Sequence, residues 1–322
     1  MSSRAFVQHR SLADEARAVR STSLDPHHAR LRVAVLAGLL SLATSDPRAD
    51  PGRAAGLHFV DVGQGSALIV VAADACVLVD SGPAGAAEAV LAALAAHDIE
   101  RVDLWVHTHL DADHLGGVAR VLAGANGVPG DEDDLEVVEF WDRGLDDAPV
   151  TTTMNAYLLA SAGRRRQVAA GAAWSTSDLE VQVVRGPSSA AEENERGIAL
   201  RIDVSGVTVL APGDLPAVAL EAVAPAVGQV DVLWASHHGA RSGISPALLD
   251  ALAPAHVVVS AGIANPYCHP NAVSLAWLHD RRVTITGAAG LGPEGPCEPL
   301  AAVLAAEHAV IGGDLWIRAT DI

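Results

Sequence analysis

The chain has 322 residues, half of them apolar and 19% charged, which excludes a disordered chain and leaves room for one large domain or two ordinary ones. Acidic residues outnumber basic ones 39 to 21, for a formal net charge of −18. Such a surface repels polyanions, so any nucleic-acid chemistry must run through a local, cation-charged site and not a basic face.

In chain order, residues 1–55 read as an N-terminal extension. A polar start with a short helix at "SLADEARAVR" leads to a Pro/Gly/Asp-rich linker, "SDPRADPGRAA". Between them, the apolar run within "LRVAVLAGLLSLATS" (31–45) is too short to span a bilayer as a helix, so no integral membrane segment is expected. That stretch reads either as a packed N-terminal helix or as a secretory signal segment. Asp14, Glu15 and Asp25 ahead of it argue against a signal. Cys76, Cys268 and Cys297 are too few and too scattered for a disulfide framework or a thiolate zinc cluster, which fits a reducing compartment, so the expectation is cytoplasmic.

From Gly56 the texture changes. "GLHFVDV" and "SALIVVAADACVLVDSG" are valine-rich and bounded by Gly and Asp, the pattern of consecutive strands. "PAGAAEAVLAALAAHDI" repeats Leu and Val at helical spacing, and "RVDLWVHTHL" is a strand followed by a glycine-led helix at "LGGVARVLAG". "GDEDDLEVVEFWDRGLDDAP" and "SAGRRRQVAAG" read as solvated, charge-bearing excursions. Strands resume at "DLEVQVVRGP" and "GIALRIDVSGVTVLAPGD", and after them helices alternate with the strands "VDVLWAS", "AHVVVSAG", "RVTITG" and a last one around "DLWIRAT". This mixture suits two packed sheets with helices outside, in one domain over 56–322.

Four strand ends carry metal-competent side chains. They are "HTHLDADH" (His107, His109, Asp111, Asp113, His114), "LAPGDLP" (Asp214), "WASHHGARSG" (His237, His238) and "ANPYCHPN" (His269). A single histidine has a bland explanation in core or surface packing. Histidines and carboxylates repeated at four strand ends do not, because such groups are costly to gather unless an ion pairs with them.

"HTHLDADHLGG" resembles the metallo-β-lactamase signature His-x-His-x-Asp-His, with Asp111 in place of its second His. Together with "FVDVGQGSALIV", "VLVDSG", "VLAPGD", "SHHGARSG" and "NPYCHP", it is similar to the C-terminal hydrolase domain of the ComEC competence proteins. The resemblance implies a four-layer αββα sandwich with metals at one edge of the sheets. It implies His109, Asp111, Asp113 and His114 as ligands, Asp214 as the bridge between two ions, and one of His237 and His238 to complete the set. Of these His238 is favoured, with His237 facing the substrate. Asp61 and Asp80 are expected to orient the ligand loop, and His107 to stand behind it. Gln64, Asn194 and His269 belong to the same motifs and are candidates for substrate or supporting contacts. Two departures stand out: Gly63-Gln64-Gly65-Ser66 ends in Ser where the family has Asp, and "ENERGIAL" keeps only Asn194 of an Asn-rich stretch. The membrane channel region of full-length ComEC has no counterpart here, which implies a stand-alone hydrolase.

Two divalent ions sharing a hydroxide suit phosphodiester hydrolysis, and replacing an imidazole by Asp111 hardens the site, so Mn²⁺ stands beside Zn²⁺ as an expected cofactor. The expected activity is a metal-dependent phosphodiesterase or nuclease, with single-stranded DNA as the candidate substrate and Asp111 also positioning the water. The acidic surface keeps two alternatives open. One is a hydrolase of a small phosphoester, thioester or lactone; the other is a catalytically silent metal-binding module. "GRRRQ" (163–167) is the only compact basic run.

Overall fold

The structure, a computed structural model, describes residues 53–262, 265–287 and 309–322; the extension up to residue 52 and Cys297 lie outside them. β1 (Gly56–Phe59), β2 (Leu68–Val71) and β3 (Cys76–Val79) form an antiparallel meander. Helix α1 (Ala87–Ala95) then crosses over to β4 (Arg101–Val106), which runs parallel to β3. Short helices α2 (Ala112–Leu115) and α3 (Val118–Leu122) precede β5 (Glu136–Asp142), and α4 (Thr152–Ala160) leads to β6 (Arg165–Gln167).

The second half opens with β7 (Ala173–Ser175), β8 (Leu179–Arg185), α5 (Glu193–Arg196), β9 (Ala199–Val204) and β10 (Val207–Ala211). Alternation follows through α6 (Ala217–Val227), β11 (Val232–Trp234), α7 (Pro246–Leu252), β12 (His256–Val259), α8 (Ala272–Trp277) and β13 (Arg282–Ile285). The chain closes with β14 (Ala309–Ile311) and β15 (Leu315–Arg318).

One sheet has the order β15-β1-β2-β3-β4-β5-β6 and the other β14-β13-β12-β11-β10-β9-β8-β7. Strand side chains alternate faces, so each apolar strand supplies two layers. In β2, Leu68 and Val70 enter the core between the sheets, while Ile69 and Val71 face α1, α3 and α4. In β12, Val258 points into the same inter-sheet core, and Val257 and Val259 pack with α6, α7 and α8. Three apolar clusters stacked in this way make the αββα sandwich. Both faces of each sheet are covered, which is why the central strands are apolar throughout and not amphipathic.

Helix boundaries follow local chemistry. The Ser245 hydroxyl accepts from Leu248 N and Pro246 begins α7, a capped start with Pro where no amide is needed. In α1 the buried positions Ala87, Val90, Ala93 and Leu94 recur at three- and four-residue spacing, which turns one face to the sheet.

Two segments expected as solvated excursions are strands. β5 sits inside the first sheet, and its Val137, Phe140 and Trp141 are buried. The charges around it mask the pattern, because Glu136 and Val138 occupy the exposed alternate positions. In the "GRRRQ" run, Arg165 pairs with the buried Asp142, Arg164 donates to Val137 O and Ala160 O and lies over Phe140, and Arg166 lies over Trp141 near Glu139. Arg164 and Arg165 are thus committed within the fold, whereas Arg166 stays more than half exposed. Cys76 is a buried free thiol, and Cys268 is disulfide-bonded, a bond the cysteine spacing gave no reason to expect.

Candidate metal centre

Parallel strands within a sheet end on the same side, and their carboxyl ends are where loops can converge. Here the ends of β3, β4, β10, β11 and β12 supply Asp80, the 107–114 loop, Asp214, His237 with His238, and Ser260.

The ligand atoms of Asp113, His114, Asp214 and His238 all lie within 4.8 Å of one another. His114 Nε2 is 3.1 Å from Asp214 Oδ1, and His238 Nε2 is 3.1 Å from Asp113 Oδ2 and 3.7 Å from Asp214 Oδ2. A second lobe shares Asp214. His109 Nε2 is 3.9 Å from Asp214 Oδ2 and 3.6 Å from Asp111 Oδ2, with Asp111 on the open side.

All three buried imidazoles have Nδ1 spoken for. His114 Nδ1 donates to Asp80 Oδ2 at 2.7 Å, His238 Nδ1 to the Ser260 carbonyl at 2.9 Å, and His109 Nδ1 to Thr108 Oγ1 at 3.2 Å. Each neutral ring therefore turns a bare Nε2 lone pair toward the carboxylates. His109 Nε2, His114 Nε2 and Asp214 Oδ1 are buried without a hydrogen-bond partner. Lone pairs facing lone pairs in a buried site need a cation between them, and imidazole with carboxylate donors suits a divalent transition ion. Burial alone would depress His114, yet the carboxylates of Asp214 and Asp80 outweigh it and hold its pKa well above the ordinary imidazole value. Burial would likewise raise Asp214, and His114 and His238 hold it well below the carboxylate range. The same electrostatic demand is met by a divalent ion, with the imidazoles neutral.

Asp80 orders the ligand loop. Besides His114, its carboxylate accepts from Thr108 N and Thr108 Oγ1, both at 2.8 Å. Asp80, His237 and His238 all have left-handed backbone, φ 59°, 51° and 53°, a strain that persists only where surrounding contacts fix it. Gly213, before Asp214, has φ +56°, and a Cβ there would lie 2.8 Å from the Thr108 side chain, so glycine is required.

The other anticipated residues divide. Asn194 Nδ2 is 3.3 Å from His237 Nε2, and His237 stands on the open side, 3.8 Å from Asp214 Oδ2. The His269 ring lies 5.3 Å from that of His237. Gln64 Oε1 accepts from Gly262 N, tying the β1–β2 loop to the end of β12. Asp61 accepts from Gly63 N and orders its own turn; it makes no hydrogen bond to the ligand loop, so the orienting role expected of it falls to Asp80. Ser66 occupies the family's Asp position and works through its backbone, with Ser66 N donating to Asp113 O at 3.1 Å. His107 is fully buried against Trp105 and Tyr157, both its ring nitrogens lack partners, and burial pushes its pKa down to about 4.

Three contributors carry no sequence signal of their own: Thr108, the Ser260 carbonyl, and Glu193. The Glu193 carboxylate accepts from Leu110 N, between His109 and Asp111, and is gripped by the buried Arg143. Arg143 and Glu193 lie in charged stretches that read as solvent-facing, and only their packing reveals the pair.

These features define a divalent-metal centre at the sheet edge of an αββα hydrolase fold. The sequence pattern of the Metallo-beta-lactamase superfamily matches residues 60–262, and the chain belongs to that superfamily. Among curated relatives, it is 28% identical to Competence protein ComA of Neisseria gonorrhoeae over 276 residues, 82% of this chain and 36% of the relative. It is 26% identical to Recombination protein 2 of Haemophilus influenzae over 238 residues, 72% of this chain and 27% of the relative. The chain thus spans about a third or less of the length of these ComEC-like relatives. Solved structures of similar fold include a putative zinc-dependent hydrolase of the metallo-beta-lactamase superfamily from Thermotoga maritima (11% identity, 80% of this chain, 98% of that one, TM-score 0.41). Another is CmlA, a diiron beta-hydroxylase from Streptomyces venezuelae (15% identity, 83% of this chain, 54% of that one, TM-score 0.47).

Proposed function

We propose that the chain is a metal-dependent phosphodiesterase with two divalent ions, Mn²⁺ or Zn²⁺, and single-stranded DNA as its substrate. One observation carries the reading: the unpartnered Nε2 atoms of His109 and His114, and His238 Nε2 beside Asp113, converge with Asp111 on the shared carboxylate of Asp214. Asp113, His114 and His238 would hold one ion, His109 and Asp111 the other, and Asp214 both. The ions supply Lewis acidity toward a phosphoryl oxygen and an activated water. The carboxylate-rich donor set favours hard, oxygen-seeking chemistry, and the relatives' names, a competence protein and a recombination protein, point to nucleic acid.

The chain's own residues set the geometry around that chemistry. Asp111, its side chain 44% exposed, is placed to orient the attacking water. His237, held by Asn194, faces the substrate phosphate, and burial keeps its pKa below the ordinary value. Hydrolysis of bis(p-nitrophenyl) phosphate and of single-stranded DNA, with Mn²⁺ or Zn²⁺, tests the reading. Asp111→Ala should lose on the order of 100-fold or more in kcat. Equal activity in the variant, or none in either protein, would sink it.

The commitment of Arg164 and Arg165 within the fold favours one competing reading, a small-ester hydrolase that does not need to hold a polyanion. That enzyme would turn over small esters with weak salt dependence and would not bind DNA.

A further inference from the structure

An acidic chain that cleaves nucleic acid needs a handle on its substrate that does not depend on positive charge. The basic run at 164–166 supplies little of a cationic one, because Arg165 is paired with Asp142 and Arg164 is bound to the carbonyls of Val137 and Ala160, which leaves Arg166 alone more than half exposed. An aromatic face can supply the other kind. Bases stack on exposed aromatic rings irrespective of sequence, and the contact carries no charge.

The metal centre continues outward through a ladder of nearly parallel rings. The His238 ring is stacked with His269, centroids 6.5 Å apart and planes 27° from parallel. His269 is stacked in turn with Tyr267, 5.9 Å apart and 25° from parallel. Tyr267 is 65% exposed, so most of its side chain remains open to solvent beside that contact. The hydrogen bond from His269 N to Asn265 Oδ1 holds the loop that carries both rings. A large aromatic side chain held this exposed gains little for stability, since most of its surface remains in water.

We propose that Tyr267 is the stacking platform for a nucleobase flanking the scissile phosphate. The ring ladder running from His238 through His269 to the exposed Tyr267 face sets that base one step outward from the metals. The platform would make this a site for base-bearing phosphodiesters over aliphatic ones. It rests on the phosphodiesterase reading above and names the substrate class of that same site.

The test measures binding apart from cleavage. Fluorescence anisotropy would follow labelled, phosphorothioate-linked oligothymidylate and an abasic oligomer of equal length on the Mn²⁺-loaded full chain. Oligothymidylate should bind about tenfold or more tighter than the abasic oligomer, the scale of one base–aromatic stack. Tyr267→Ala should erase that difference, and Tyr267→Phe and Tyr267→Trp should keep it, with thermal melting showing that all the variants fold. Equal binding of the two oligomers, no binding of either, or an equal weakening of both in Tyr267→Ala would overturn the platform. Cleavage is scored separately on the natural phosphodiester. DNA cleavage with no base preference leaves the hydrolase and removes the platform, whereas base-dependent binding without cleavage under either metal does the reverse.

Discussion

Thr108 ties the site together without offering a metal-competent atom of its own. Its hydroxyl donates to Asp80 and accepts from His109 Nδ1, its amide donates to Asp80, and its carbonyl accepts from Ile198 N, just before β9 of the second sheet. Asp80 is the other half of this unit, since the carboxylate that fixes Thr108 also fixes the His114 ring. Partners that hold a ligating imidazole in one tautomer commonly govern metal affinity by about 10–100-fold. Asp80→Asn should therefore weaken Mn²⁺ or Zn²⁺ binding by about that factor, read by titrating the metal-free protein; an unchanged affinity would show that the His114 orientation is set elsewhere. Asp80 was legible as a carboxylate ending an apolar strand. Thr108 was not, because a hydroxyl between two histidines has no pattern of its own, and its four contacts come from three separate stretches of chain.

At the scale of elements, the four-residue helix α5 acts as a strap across the metal loop. Glu193 holds Leu110 N, Asn194 meets His237, and the chain leaving the helix pairs with Thr108 O. The strap is anchored by the ion pair of Glu193 with Arg143, whose side chains are 16% and 3% exposed. Removing one partner of such a pair strands the other charge away from water. Arg143→Met should thus cost about 3–5 kcal/mol in urea denaturation, with metal affinity falling as the loop loosens. A stability within about 0.5 kcal/mol of wild type would place Glu193 in water and refute the strap. β5 teaches a related lesson about legibility. Its buried Val137, Phe140 and Trp141 were hidden in a segment read as an acidic loop, because strand periodicity is short and flanking charge is louder than a few alternating apolar residues.

For the whole molecule, the acidic surface and the fold's buried histidines set the response to pH. His256 begins β12 in the second sheet, with Nε2 2.9 Å from Thr284 Oγ1, and lies away from the metal ligands. Burial, aided by Arg282, pushes its pKa from 6.5 down to about 4. Between those values the unfolded chain holds a proton on His256 that the folded chain does not, so stability rises with pH across the window. The contribution is fully present above pH 6.5 and is lost as pH falls toward 4, amounting at most to a few kcal/mol. His256→Gln should flatten the acid limb of a stability–pH profile measured by chemical denaturation at fixed ionic strength. An identical limb in the variant would mean that His256 titrates normally in the fold.

The sequence by itself determined the donor chemistry, the order of the strand-end motifs and the layered class. Those depend on residue type and on periods of two and 3.6, which are local properties of the chain. It also showed Asp111 standing where the related signature has a second His. Only the tertiary structure decided which atoms meet. It brought Asp80, Asp214 and Ser260 from three strands onto one histidine set, gathered His238 among the buried ligand atoms, and left His237 open to the cleft. It returned β15 to pair with β1 at the far end of the chain, and it stacked Tyr267 on His269, which stacks in turn on His238. These are contacts between residues tens to hundreds of positions apart, fixed by the packing of two sheets, and no local pattern encodes them.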